Sequence, residues 1–291
     1  MSEARSGGTG EENHTIEQRL DALQQELARL RELVIRAYED TPQATAELLR
    51  TRRRADYGDA FAPTPLVTVR IGAYEAGQVL FERAIASVRR QSYSNWEAIV
   101  VCDGPDEATA EQIDQLGDSR IRCEQRPRNG PYPVEPKARQ RVAGSHPFNE
   151  GFALARGAWI APLDQDDEWS EDHLEALLTT AQRSRAEVVY AVAKVVVGSH
   201  GETYFGTWPP SPGDFGFQTA IHHAGLSTFL YDANSYLLEE PADWQLARRM
   251  LEAGVRFEFL DRVVTTYFVD DAKPSIGWWR ELLQQRGAYI T

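Results

Sequence analysis

The sequence predicts an α/β fold built around a buried sheet, and three observations predict it. From Pro65 onward, apolar runs of strand length alternate with stretches of helical periodicity. Residues 96–102 are nearly all apolar, as a strand covered on both faces must be. The stretch Ala158 to Trp169 runs apolar from Trp159 to Leu163 and then delivers Asp164, Asp166 and Asp167. It reads as a buried strand that surfaces at its carboxyl end.

Taken in order, residues 1–14 are polar and glycine-rich, which predicts disorder and shows no apolar core of a signal peptide. Residues 15–40 carry Ile16, Leu20, Leu23, Leu27, Leu30, Val34 and Ala37 at alternating spacings of four and three. This heptad seam fits a homodimeric coiled coil through residues 15–38, or an amphipathic helix docked on its own domain. Thr41-Pro42 ends it, and residues 41–64 read as a short helix and linker. There Arg50, Arg52, Arg53 and Arg54 form either a solvated helix end or a contact for anionic lipid or for the acidic body.

A first strand over 66–71 runs into Gly72-Ala73-Tyr74 and is followed by a helix over 78–91. A second strand, 96–102, ends in Asp103-Gly104; a helix over 107–116 and a third strand over 120–124 follow. Residues 126–147 read as a long Pro-, Gly- and Arg-rich loop of the functional kind, and 148–156 as the helix that feeds the acidic strand. Beyond it the pattern gives a helix at 173–183, a strand at 187–197, a hairpin and loop at 198–217 and a strand at 227–231. A helix at 244–254, strands within 255–268 and a short helix at 278–285 complete the chain.

With 291 residues and 42% hydrophobic content the chain can build one large domain and an extra segment. A net charge of −13 disfavours nucleic acid, which requires a basic face. The longest apolar run, 188–197, is far too short to span a bilayer. Cys102 and Cys123 fall in predicted strands and read as buried free thiols of a reducing compartment. The expectation is a cytoplasmic protein, peripheral to a membrane at most.

Ligands of parallel α/β sheets bind outside the carboxyl ends of the strands, where Tyr74, Asp103, Asp164 and Asp166 converge. Asp164 and Asp166 share one face of an extended segment, and a divalent cation would relieve their repulsion. The alternative is an acidic turn leading into a helix, with Ser170 as N-cap.

The ordered segments Pro65-Leu-Val-Thr-Val-Arg-Ile-Gly-Ala-Tyr74, Ala84 to Gln91, Ala98-Ile-Val-Val-Cys-Asp-Gly104, Asn149-Glu-Gly151 and Ala155 to Asp167 resemble the family 2 glycosyltransferases. The resemblance continues weakly to Ala242-Asp-Trp-Gln-Leu246. It implies the GT-A fold, a mixed sheet flanked by helices over residues 65–275, with 276–291 as terminal helix and tail. It also implies an inverting, metal-dependent transferase with Mn²⁺ or Mg²⁺ and a UDP-, GDP- or TDP-sugar donor; the acceptor is open.

By position, Gly72, Ala73 and Tyr74 would hold the base and Asp103 the base edge or ribose. Asp166 would bind metal, and Asp164 and Asp167 the ribose or metal-bound water, with Asp164 a second metal residue. Arg139, in the basic loop, is assigned to the donor, and His222 to the metal, although a structural histidine pair is the alternative. Asp243 would be the catalytic base, against a plain role as helix N-cap. Tyr204, Phe205 and Trp208 would stack on an acceptor sugar or simply pack.

The chain departs from the pattern at Cys102, where an Asp is usual, at Gly72, often Pro, and at Ala242, usually Glu. Arg70 in the first strand has no counterpart in this reading. A nucleotidyltransferase is disfavoured by motif order. A non-catalytic nucleotide-sugar-binding protein on the same fold is the other alternative.

Overall fold

The computed structural model describes residues 8–128 and 132–271, and residues 276, 277, 279, 280 and 283 near the C-terminus. The chain divides into two compact units, Met1–Pro42 and Gln43–Thr291. The first is dominated by one helix, Gly8–Tyr38. It therefore takes in residues 8–14, expected to be disordered; residues 1–7 lie outside the described part. Ile16, Leu20, Leu23, Leu27, Leu30 and Val34 are 48–63% exposed, so the heptad seam is uncovered.

The second unit holds nine strands among the described residues: β1 (Val67–Ala73), β2 (Trp96–Asp103), β3 (Ile121–Arg126), β4 (Trp159–Asp164), β5 (Glu168–Trp169), β6 (Val188–Val197), β7 (Glu202–Phe205), β8 (Ala220–His223) and β9 (Phe257–Val269). The sheet order is β3-β2-β1-β4-β8-β6-β9-β5, with β7 on β6. Strands β1 to β4 are parallel, and β8 runs antiparallel to both β4 and β6. Pairing of β4 with β8 stops at Ile160, so Pro162, which has no N–H to offer, lies just beyond that ladder.

One face of the sheet is covered by the helix over 77–89, whose middle Leu80–Ile85 is a π turn, and by the helix His173–Ser184. Leu80, Ala84, Val88, Leu174, Leu177 and Ala181 pack there on Val69, Val100 and Leu163. The other face carries the helices Ser145–Leu154 and Ala242–Glu252, with Phe152, Leu246 and Met250 against Ile160 and Tyr190. A fully buried aliphatic side chain of this kind contributes about 1.5–3 kcal/mol.

Several expected boundaries move. The short helix expected within 41–64 is Thr41–Arg52, and this stretch also packs down: Leu48 and Ala60 are buried, and the Trp159 indole N–H donates to the Ala60 carbonyl at 2.5 Å. Arg52 is not solvated either, since its guanidinium forks onto buried Glu187 at 2.7 and 2.6 Å. Burial alone would raise the Glu187 pKa, but Arg52, the Tyr57 hydroxyl and the Arg256 N–H hold it below the carboxylate range. The loop expected over 126–147 contains the helix Pro136–Val142, and the next helix begins at Ser145. The strand expected at 227–231 is instead Ala220–His223, whose two histidines masked a fully buried strand. Of the C-terminal helix, residues 276–277, 279–280 and 283 are helical and the rest lies outside the described residues.

Candidate active site

Register brings the site together. Ala73 pairs with Cys102 and Gly72 with Asp164, so the ends of β2, β1 and β4 lie side by side. Tyr74 follows β1 and is 41% exposed. Its backbone is clamped by the Gln165 amide, which accepts from the Tyr74 N–H at 2.8 Å and donates to its carbonyl at 3.1 Å. The Arg128 guanidinium lies 4.4 Å from the Tyr74 ring centroid. Asp103 is nearly buried and accepts the Tyr132 hydroxyl at 2.8 Å. Gly72 is required by packing, because a Cβ there would come within 2.4 Å of the Phe148 ring. This accounts for glycine at a position that proline often takes.

The acidic turn separates its carboxylates by role. Asp167 is fully buried, and its Oδ1 accepts the Phe268 N–H at 3.2 Å, which anchors the turn to β9. Asp164 and Asp166 remain half-buried. Arg83 donates to the Asp166 carbonyl at 3.0 Å and stacks on Phe268 at 4.0 Å. The N-cap of the following helix is Asp172, not Ser170, so the acidic turn is not a cap.

Tyr267 on β9 was not singled out by the sequence. Burial raises its phenol pKa well above normal, and so do the carboxylates of Asp167, Asp164, Asp166 and Asp243. The only hint in the sequence is the alternation through Thr265, Thr266, Tyr267 and Phe268.

Asp243 lies in the first turn of Ala242–Glu252, but Pro241 is the N-cap and the Asp243 side chain does not cap the helix. Asp243 is half-buried; desolvation pushes its pKa up, and the Arg70 charge, the Phe217 backbone and the Tyr231 phenol oppose the rise without cancelling it. Arg70 itself is 1% exposed. An unpaired buried charge costs several kcal/mol, which stacking on aromatic faces at about 2 kcal/mol each offsets in part.

One assignment does not hold. His222 is fully buried, edge-on to Phe152 at 5.1 Å and Phe217 at 6.0 Å, and burial lowers its pKa to about 3. It pairs with Ile160, four residues before Asp164 on β4, or roughly 13 Å along the strand. It is a core histidine, not a ligand beside Asp166. Arg139 is exposed and donates through Nε to the Pro133 carbonyl at 3.0 Å. The guanidinium that reaches the strand edge is that of Arg128.

Among the described residues, no three His, Cys, Asp or Glu side chains gather to hold a metal ion. Asp164 and Asp166 supply hard oxygen donors without a closed cage. That suits Mg²⁺ or Mn²⁺, which bind through one or two carboxylates while a substrate's phosphates fill further positions. Cys102 and Cys123 are free thiols with their sulfurs 3.5 Å apart. Tyr204 and Trp208 are exposed, whereas Phe205 packs in a small core with Trp279.

The chain is 24% identical over 230 residues to Escherichia coli WfaP, a UDP-Glc:alpha-D-GlcNAc-diphosphoundecaprenol beta-1,3-glucosyltransferase, covering 76% of this chain and 84% of WfaP. Its identity to E. coli WfgD, whose name gives the same activity, is 26% over 131 residues, or 45% of this chain. The chain spans about half of WfgD's length, 47%. Among solved structures, S. aureus TarS 1-349 in complex with UDP superposes with a TM-score of 0.52 at 15% identity, over 77% of this chain and 67% of that one. The likeness is one of fold, a mixed α/β sheet of the GT-A type. Residues 68–235 match Glycosyl transferase family 2, and the chain belongs to that family.

Proposed function

We propose that the protein is an inverting glycosyltransferase that moves a sugar from a nucleotide-diphospho-sugar to an acceptor hydroxyl. The observation that carries this reading is the register of β2, β1 and β4, which brings Asp103, Tyr74 and Asp164 to one strand edge, with Asp166 two residues beyond. Tyr74, the Gly72-Ala73 backbone and Asp103 would hold the nucleoside, with Arg128 beside them. Asp166, with Asp164, would hold Mn²⁺ or Mg²⁺, which would neutralise charge on the departing diphosphate.

Asp243 acts as general base. As the acceptor oxygen bonds to the sugar's anomeric carbon, its proton passes to Asp243. The bond from that carbon to the diphosphate oxygen breaks, and its electron pair leaves with the nucleoside diphosphate. A single displacement inverts the configuration. UDP is the favoured nucleotide, because WfgD and WfaP are named for UDP-Glc and TarS carries UDP. We place the enzyme in the cytoplasm; no described helix is long and apolar enough to cross a membrane. Two copies associate through residues 15–38, since an exposed leucine seam on an isolated helix requires a partner. Leu23→Lys with Leu27→Lys should then halve the mass seen by light scattering.

Thermal shift with UDP, UDP-glucose, GDP and TDP, each with and without Mn²⁺, tests the donor reading. Stabilisation by a nucleotide, enhanced by Mn²⁺, is expected. No stabilisation by any nucleotide or its sugar at millimolar concentration would overturn it.

A further inference from the structure

Where the backbone pairing of β1 ends, a side chain takes it over. The β1–β4 ladder stops at Gly72 opposite Asp164, because β4 turns away there, the Asp167 N–H donating to the Asp164 carbonyl at 3.2 Å. On the other flank the last pair is Ala73 with Cys102, so Tyr74 lies beyond both ladders. Its N–H and its carbonyl are both taken up by the Gln165 amide, at 2.8 and 3.1 Å. One side chain thus extends the sheet by one step. A carboxylate or an ammonium could not, since each offers only one kind of hydrogen-bonding partner.

The two ends of this clamp are anchored unequally. Gln165 stands between Asp164 and Asp166 in a turn that is tied down twice. The Asp167 carboxylate accepts the Phe268 N–H of β9 at 3.2 Å. Arg83 donates to the Asp166 carbonyl at 3.0 Å while its guanidinium lies 4.0 Å from the Phe268 ring centroid. Tyr74, by contrast, is 41% exposed, so packing holds it weakly. The next residue, Glu75, has a φ of 45°, in the left-handed region that disfavours a side chain. Such a conformation persists where the surroundings fix it, and Gln165 fixes the residue immediately before it.

We propose that Gln165 is a positioning residue that couples the two parts of the donor site. Through its amide, a nucleoside held by Tyr74 and a divalent cation held by Asp164 and Asp166 strengthen each other's binding. This rests on the reading of Tyr74 and the acidic turn as the donor edge. Asp164 and Asp166 are ordered further when they hold a cation, and the clamp carries that order to Tyr74. The nucleoside then meets a residue already set in place. Linkage makes the effect reciprocal: the factor by which Mn²⁺ tightens UDP is the factor by which UDP tightens Mn²⁺. Direct contact between the cation and the diphosphate contributes to that factor without Gln165, so loss of the amide should reduce it and not abolish it.

The test is calorimetry of the full chain with UDP, with and without Mn²⁺, on wild type, Gln165→Met, Gln165→Ala and Asp166→Ala. Gln165→Met keeps the length of the side chain and loses both hydrogen bonds. The ratio of the UDP dissociation constants without and with Mn²⁺ should fall about fivefold, the scale of one net hydrogen bond. Hydrogen–deuterium exchange at the Tyr74 amide should quicken in the variant, and Mn²⁺ should slow it in wild type only. A purely structural role would lower the melting temperature and leave the ratio as it was. An unchanged ratio or an unchanged Tyr74 exchange rate in Gln165→Met, or in Gln165→Ala where the former does not fold, overturns the proposal. If Asp166→Ala lowers the ratio while the Gln165 variants keep it, the metal reading stands and the coupling role falls alone. A ratio of one in wild type overturns the metal reading, and the coupling with it.

Discussion

The two halves of the site are built in opposite ways. At the donor edge, Tyr74, Asp103 and Asp164 stand at or just past the ends of three neighbouring strands, so the backbone itself delivers them to one rim. Tyr74 is 41% exposed and Asp164 and Asp166 are half-buried, within reach of solvent. On the other side, Asp243 is half-buried as well, and Arg70 and Tyr231, which meet across 161 residues of sequence, are almost fully buried. A rim built by strand ends is positioned by the backbone, whereas a cluster built by side chains depends on contacts between distant parts of the sequence.

The contrast predicts different kinetic signatures. Asp243→Asn is nearly isosteric and removes the carboxylate's basicity. Transfer should fall about a hundredfold or more, the scale of a lost general base. Melting temperature and UDP-glucose affinity should stay near wild type. Should donor affinity fall and turnover survive, Asp243 would belong to the donor edge and the division would collapse.

The buried half should also be the acid-sensitive half. Burial lowers the pKa of His222 to about 3, from 6.5. Below pH 6.5 the unfolded chain takes up a proton that the folded one refuses, so stability is complete above that pH and is lost as pH falls toward 3. Between pH 6.5 and 4.5 this removes about 2 kcal/mol per such histidine. His173 shares the behaviour, also near 3 through burial. His222→Leu should therefore flatten the decline in melting temperature over that window without abolishing it. An unchanged slope would mean that His222 binds its proton in the folded state.

What was legible in the sequence follows the same division. Strand ends are contiguous with the apolar runs that precede them, so Tyr74, Asp103 and the acidic turn could be located from local pattern alone. Asp167 could not be told from Asp164 and Asp166, because its inward turn depends on the Phe268 N–H, about a hundred residues away. His222 was misplaced because a strand containing two histidines does not read as buried, although its pairing with both β4 and β6 makes it so. Arg70 was visible as an oddity without a purpose, since the Asn149 and Gly151 that help accommodate it matched the family pattern for other reasons. Tyr267 left almost no local trace. The GT-A frame itself was legible throughout, in the alternation of buried strands and amphipathic helices.

At the donor edge, Asp166→Ala should leave the fold intact, because the residue follows β4 in a half-exposed turn. Calorimetry should show that Mn²⁺ no longer strengthens UDP binding, a loss of about tenfold, the scale of one charge-assisted contact. Equal Mn²⁺ enhancement in mutant and wild type would remove Asp166 from the metal site.

The finest distinction concerns Tyr132. Its hydroxyl donates to Asp103 at 2.8 Å, at the position the family resemblance gives to the base edge or ribose. If the donor edge is completed by its ligand, this bond stands in for a nucleoside N–H or O–H and must break when the nucleotide enters. Tyr132→Phe keeps the ring, which lies 5.6 Å from that of His146, and removes only the competing donor. A net hydrogen bond is worth about 1 kcal/mol, so UDP should bind about fivefold more tightly to the variant. Asp103→Ala should change affinity in the opposite direction, because it removes the acceptor along with its occupant. Weaker UDP binding by Tyr132→Phe would show instead that the phenol holds Asp103 in its binding geometry. The donor edge would then be pre-set by the protein.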